Sequence, residues 1–138
     1  MTLLSLYQLA NKYGVVIDEF SMKDIVSVSF PQGWIAVDKD KLPDTATEKV
    51  CIAHEMGHIE TGSFYNIHSP FDIRQKHENR ADKWAIYHTI SEDELDEAVA
   101  EGYTEIWDLA EHFNVTEDFM RKAICWYTYG NLDTELCF

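Results

Sequence analysis

The stretch Thr45-Ala46-Thr47-Glu48-Lys49-Val50-Cys51-Ile52-Ala53-His54-Glu55-Met56-Gly57-His58-Ile59-Glu60-Thr61 decides how the rest of this chain is read. It opens like a capping box: the Thr45 hydroxyl can accept the Glu48 N–H while the Glu48 carboxylate returns to the Thr45 N–H. Gly62 supplies a left-handed stop, so the spacing predicts a helix to about Thr61. On that helix His58 falls about 40° and Glu55 about 100° from His54 around the axis. Ile52, Met56 and Ile59 form an apolar stripe largely on the other side, and Gly57 keeps the turn beside the histidines slim. Two imidazoles at i and i+4 can bind one Zn²⁺, and a glutamate directly after the first can take a proton from a water bound there. Cys51, one turn before His54, reads as a buried, inert thiol rather than a ligand.

A catalytic zinc site uses three protein ligands and keeps one position open. One known solution needs Gly at 61 and His at 64; Thr61 and Phe64 exclude it. The other takes a glutamate from a later helix. Ser69-Pro70-Phe71-Asp72 opens such a helix, with Pro70 as its first helical residue. Glu78 and Asp82 share one face of it at i and i+4, and Ala85 and Thr89 continue that face with small side chains that permit close approach. Glu78 is expected to be the third ligand, with His68, His77 and Asp72 as competitors. Asp82 is expected to accept the Nδ1–H of a liganding histidine, His54 first, and so fix its tautomer. Two neutral imidazoles and one carboxylate leave such a Zn²⁺ site at +1, an effective Lewis acid. Tyr65 and His68, in the loop between the two helices, are candidate oxyanion donors, whereas Tyr87 lies on the opposite side of its helix from Glu78.

Outward from these helices the chain changes character at Pro43. Before it, Ile25–Phe30 and Trp34–Val37 show β-branched alternation around Pro31-Gln32-Gly33, which reads as a hairpin. Val15-Val16-Ile17 offers a third strand, after a helix over about 3–13 that Gly14 ends. After residue 90, Ser91-Glu92-Asp93-Glu94, Thr104 and Thr116 look like helix caps, with breaks at Gly102, Asn114 and Gly130. The expected architecture is α+β: a small three-stranded antiparallel sheet packed on four to six helices. One domain spans 1–138, with helix and sheet in 1–43, the candidate metal-site helices in 44–90 and a helical tail in 91–138. The Trp34–Val37 strand is expected to be the edge on which an extended peptide could add.

Composition bounds the function. At 138 residues, 46% hydrophobic and 26% charged, the chain suits one domain with a buried core. Its net charge of −14 opposes binding to nucleic acid or anionic membranes. The first residues lack the basic start and cleavage site of a secretory signal, and no apolar run has transmembrane length, which points to the cytoplasm. Cys51, Cys125 and Cys137 are an odd number without motif spacing, so no disulfide framework is expected. The stretch Leu109–Ala123 is shaped like a helix-turn-helix. Glu105, Asp108, Glu111, Glu117 and Asp118 against Arg121 and Lys122 oppose phosphate contact there, which makes it a packing motif. Glu92–Glu97 reads as a solvated helix face, and Trp84, Trp107, Trp126, Tyr127 and Tyr129 as core and rim.

The segment Lys49-Val50-Cys51-Ile52-Ala53-His54-Glu55-Met56-Gly57-His58, followed by Glu78-x-x-Ala81-Asp82, resembles the ImmA/IrrE-type zinc metallopeptidases of phages, mobile elements and bacteria. The resemblance is strongest over about residues 45–90. It implies a zincin-like, gluzincin-type endopeptidase carrying one Zn²⁺ in a bacterial host, acting on a helix-turn-helix repressor encoded nearby. Asp82 stands where the family more often has Asn; either side chain can accept from the histidine. The rival class is a non-catalytic antirepressor that binds a regulator stoichiometrically.

Overall fold

Thr2 caps the first helix, α1 (Leu3–Lys12), its hydroxyl accepting the Ser5 N–H at 3.0 Å. The computed structural model describes residues 1–133; Cys137 lies outside them. Three strands follow: β1 (Val16–Glu19), β2 (Ser27–Phe30) and β3 (Trp34–Val37). The expected hairpin is present, with Phe30 paired to Trp34 and Ser27 to Val37, and Gly33 turns the chain at φ +93°. The sheet is not wholly antiparallel. Its order is β1-β3-β2, and β1 runs parallel to β3, Val16 opposite Trp34.

The reason lies in burial. β3 is the apolar strand, with Ile35 and Val37 fully buried, so it takes the centre, while the polar residues of β1 and β2 suit the edges. The connection 20–26 therefore crosses the end of β3 and leaves a gap between β1 and β2 that β3 fills. The Asp38 carboxylate pins that connection by accepting the Met22 N–H at 3.0 Å. Trp34–Val37 is consequently not an edge; β2 is.

The remaining helices are α2 (Thr45–Thr61), α3 (Phe71–Thr89), α4 (Glu92–Ala100), α5 (Ile106–Phe113) and α6 (Glu117–Tyr129). Several caps sit one residue away from their expected place. Asp44, not Thr45, caps α2, accepting the Thr47 N–H at 2.8 Å; a carboxylate is the stronger acceptor, and Thr45 becomes the first helical residue. Pro70 is the cap position of α3, while the Ser69 hydroxyl is used by the Asn66 N–H. Glu105 rather than Thr104 precedes α5. Ser91 forms the full capping box with Glu94, Thr116 caps α6, and Gly62, Asn114 and Gly130 end their helices in the left-handed conformation.

α2 is the axis of the core. Ile52, Ala53 and Met56 are fully buried among Leu6 of α1, Ile35 and Val37 of β3, and Ala85 and Ile86 of α3. α5 and α6 pack as a pair, and α6 also lies on α3, so the helix-turn-helix-shaped segment serves packing. The Lys49 ammonium is buried and donates to the Phe113 carbonyl at 2.6 Å, tying the C-terminal end of α5 to α2. Trp84, Trp126 and Tyr127 are half-buried, whereas Trp107 and Tyr129 face solvent.

α2 and α3 approach each other very closely at Gly57. A Cβ on Gly57 would lie 2.9 Å from the Ala81 Cα and closer still to its carbonyl oxygen. Backbone cannot yield as a flexible side chain can. Gly57→Ala is therefore expected to destabilise by about 1–3 kcal/mol through overpacking, despite alanine's better helix propensity. Denaturant melts check this; unchanged stability would mean that the two helices separate without cost.

Candidate metal centre

Both histidines of α2 are oriented from behind by groups that can only accept a hydrogen bond. The ionised Asp82 carboxylate on α3 lies 2.7 Å from His54 Nδ1, and the Ser63 carbonyl just past Gly62 lies 2.6 Å from His58 Nδ1. Both Nδ1 atoms therefore donate, and the two Nε2 atoms turn inward, 3.1 Å from each other. The Ser63 position is itself held: its hydroxyl is 2.6 Å from that of Thr61, which donates to the Gly57 carbonyl.

Glu78 on α3 reaches between the rings. Its Oε2 is 2.7 Å from His54 Nε2 and its Oε1 is 3.2 Å from His58 Nε2. His54, His58 and Glu78 are the group among the described residues whose ligand atoms converge, all within 4.8 Å of one another, as a metal site requires. Two imidazole nitrogens and a carboxylate oxygen are a donor set that suits a divalent cation of intermediate softness. Of the competing ligands, Asp72 and His68 are exposed, and His77 stacks on Tyr65 outside the group.

Glu55 is buried beside the cluster, where β2 covers it. The Ser27 hydroxyl donates to its Oε2 and the Ser29 hydroxyl to its Oε1, both at 2.8 Å. These serines went unnoticed in the sequence, although their i, i+2 spacing on a strand places both hydroxyls on one face. Lys122 of α6 adds a further support, 3.2 Å from Asp82 Oδ2. Tyr65 donates to Glu78 Oε1 at 2.7 Å and lines the same cavity, about 320 Å³ in volume and open to solvent. His68 does not reach that cavity. Its loop folds back on itself, the His68 N–H donating to Asn66 Oδ1 at 2.8 Å, and this turns the residue to solvent. Cys51 is half-buried, and burial, reinforced by Glu55, pushes its thiol up, which suits an unreactive sulfhydryl.

Charge follows geometry. Burial works against a proton on His54, but the Asp82 and Glu78 hydrogen bonds overcome it and raise the imidazole to about 10. His58 is raised by Glu78 and the Ser63 carbonyl against the same burial. Burial would raise Glu78, yet His54, His58 and Tyr65 together hold it far below the carboxylate range. The hydrogen bond to Glu78 pushes Tyr65 up to about 12, so it remains a donor.

The profile of the IrrE N-terminal-like domain, a peptidase family, matches residues 9–124. The chain belongs to this family. No curated protein matches it. The matched span runs from α1 through most of α6, so it contains the whole cluster and both helices that build it. Membership of a peptidase family and a His–His–Glu group able to hold a metal together indicate a metallopeptidase. Among the described residues no helix is long and apolar enough to cross a membrane.

These shifts set the pH behaviour of the metal-free protein. His54 is raised above its ordinary 6.5, so its contribution is full below that value and is lost as pH rises through about 10. Glu78 is depressed below its ordinary 4.5, so its contribution is present above that value and is lost on further acidification. After chelation, the stability difference between the protein and a Glu78→Gln variant should therefore be greatest between about pH 4.5 and 6.5. Thermal melts across the range check this; a difference that does not vary with pH would contradict the charged pairing.

Proposed function

We propose that this chain is a zinc-dependent endopeptidase of the cytoplasm in which His54, His58 and Glu78 hold one Zn²⁺ and Glu55 is the general base. The observation that carries this reading is the inward convergence of two Nε2 atoms and the Glu78 carboxylate in an open cavity that Glu55 also lines. Zinc held there supplies Lewis acidity toward a peptide carbonyl and makes a coordinated water more acidic.

The chain's own residues do the rest. Glu55 takes the proton from the attacking water and delivers it to the leaving amine. Each of its oxygens accepts one serine hydroxyl and retains a second acceptor site, so Ser27 and Ser29 can orient the carboxylate without occupying it. Asp82 and the Ser63 carbonyl keep the Nε2 lone pairs of His54 and His58 directed inward. Tyr65 brings its hydroxyl to the same cavity; released from Glu78 Oε1, it would donate to an oxygen gaining negative charge. β2 is both a cavity wall and a sheet edge, so an extended substrate can pair with its backbone beside Glu55.

For the substrate we favour a DNA-binding repressor. The resemblance to the ImmA/IrrE-type enzymes points there, and a net charge of −14 would draw a basic DNA-binding protein toward this one in a salt-dependent way. Cleavage should fall in a flexible linker that can become extended.

Metal analysis should find about one zinc per chain in the protein and in Glu55→Gln, with cleavage abolished in that variant because an amide cannot take the proton. Glu78→Ala should lose the metal. Full occupancy in Glu78→Ala would refute the third ligand, and unchanged biological activity in Glu55→Gln would favour a stoichiometric binder. Co-expression with the neighbouring repressor should yield discrete repressor fragments and lost operator binding. An intact repressor still bound to its operator, in the presence of zinc-loaded enzyme, would exclude that substrate.

A further inference from the structure

A second cavity, about 370 Å³, shares Ser27, His54 and Glu78 with the first, so the two are halves of one cleft. Asp82 and Lys122 line it, and there α3 and α6 meet behind His54. Asp82 Oδ1 lies 2.7 Å from His54 Nδ1, and Asp82 Oδ2 lies 3.2 Å from Lys122 Nζ. An aspartate carboxylate turns about a soft, broad torsion, so one hydrogen bond by itself leaves its plane free to rotate. Two partners, on opposite oxygens and from two different helices, fix that plane. With Lys122 removed, Oδ2 would face the cavity, and the angle at which Asp82 meets His54 would no longer be set. The imidazole, and with it the direction of its Nε2 lone pair, would lose its orientation.

α6 does not need Lys122 to keep its place. Phe119, Met120 and Ala123 anchor it in the core. Toward its other end the Tyr127 hydroxyl donates to the Ile90 carbonyl at 2.6 Å, and Lys83 Nζ lies 4.8 Å from the centre of the Trp126 ring. Packing therefore brings the Lys122 ammonium to Asp82. Its other carboxylate contact, Asp118 at 3.8 Å, is one turn away on the same helix and exposed, and such a pair contributes little.

Charge and position act in opposite senses here. An ammonium repels a nearby divalent cation, so a lysine acting only through its charge would weaken metal binding, and its removal would tighten it. A lysine that fixes Asp82 strengthens metal binding, and its removal loosens it. We propose that Lys122 is a positioning residue of the metal centre: by holding Asp82 Oδ2 it aims Oδ1 at His54, and so makes the helical tail part of what retains the metal. The inference rests on the metal-centre reading above.

Zinc affinity, measured by competition with a chromogenic chelator, tests this in the full chain and its variants. Lys122→Met should weaken binding by about tenfold, the low end of what losing a group behind a metal ligand costs. Lys122→Arg should bind nearly as the wild type does. In an Asp82→Asn background, where the amide can still accept from His54 but has no second acceptor for the ammonium, Lys122→Met should change nothing further. Tighter or unchanged binding in Lys122→Met, or an equal loss in both backgrounds, would overturn the proposal.

A wild type that binds no zinc would refute the metal-centre reading by itself, and the positioning is then decided without metal. After chelation, the His54 Nδ1 proton should give a resolved downfield resonance in the wild type and in Lys122→Arg, and a line broadened by exchange in Lys122→Met. Absence of that resonance from the wild type, or the same line in all three proteins, would overturn the proposal.

Discussion

The structure depends on how closely α2 and α3 approach at Gly57 and Ala81. With no Cβ at 57, the backbone of α3 rests almost directly on α2, and this brings the Glu78 carboxylate to both imidazoles and Asp82 to the back of His54. A wider separation would carry Glu78 out of reach, because its side chain already spans the gap at 2.7 and 3.2 Å. The small side chains of Ala81 and Ala85, both fully buried, extend the same contact along α3. Packing and chemistry are therefore the same constraint here: the helix contact that buries the core also assembles the donor set.

Around this contact the polar groups are arranged in layers. His54 and His58 present Nε2 inward only because Asp82 and the Ser63 carbonyl take their Nδ1 hydrogens. Those acceptors are supported in turn, Asp82 by Lys122 of α6 and Ser63 by Thr61. Glu55 is braced from the opposite side by the two serines of β2. A buried polar network is stabilising only when its members are satisfied. Each of these residues is, with partners drawn from β2, α3, α6 and the loop after α2. The polar side of α2, opposite its apolar stripe, is covered by those elements, and Glu55 and His58 are buried.

The candidate metal-site helices, the sheet and the helical tail thus have distinct physical tasks. The sheet contributes a buried central strand to the core and an exposed edge to the cleft. The tail, shaped like a helix-turn-helix, serves packing and contributes Lys122 beside Asp82.

What the sequence by itself determined is what depends on neighbours along the chain. The i, i+4 placement of His54 with His58 and of Glu78 with Asp82, the hairpin around Gly33, the Ser91–Glu94 capping box and the stops at Gly62, Asn114 and Gly130 are all local. Helix periodicity and turn geometry express such features without help from distant residues. Where two adjacent acceptors competed, as Asp44 and Thr45 did, pattern alone placed the cap one residue late. The tertiary structure decided everything that required distant segments to meet. The insertion of β3 between β1 and β2 follows from which strand is most worth burying, a comparison made across the whole sheet. The bracing of Glu55 by Ser27 and Ser29 depends on contacts between distant segments that no sequence spacing encodes. The cleft's second half exists only because α6 folds back over α3, since a cavity is a property of surfaces brought together.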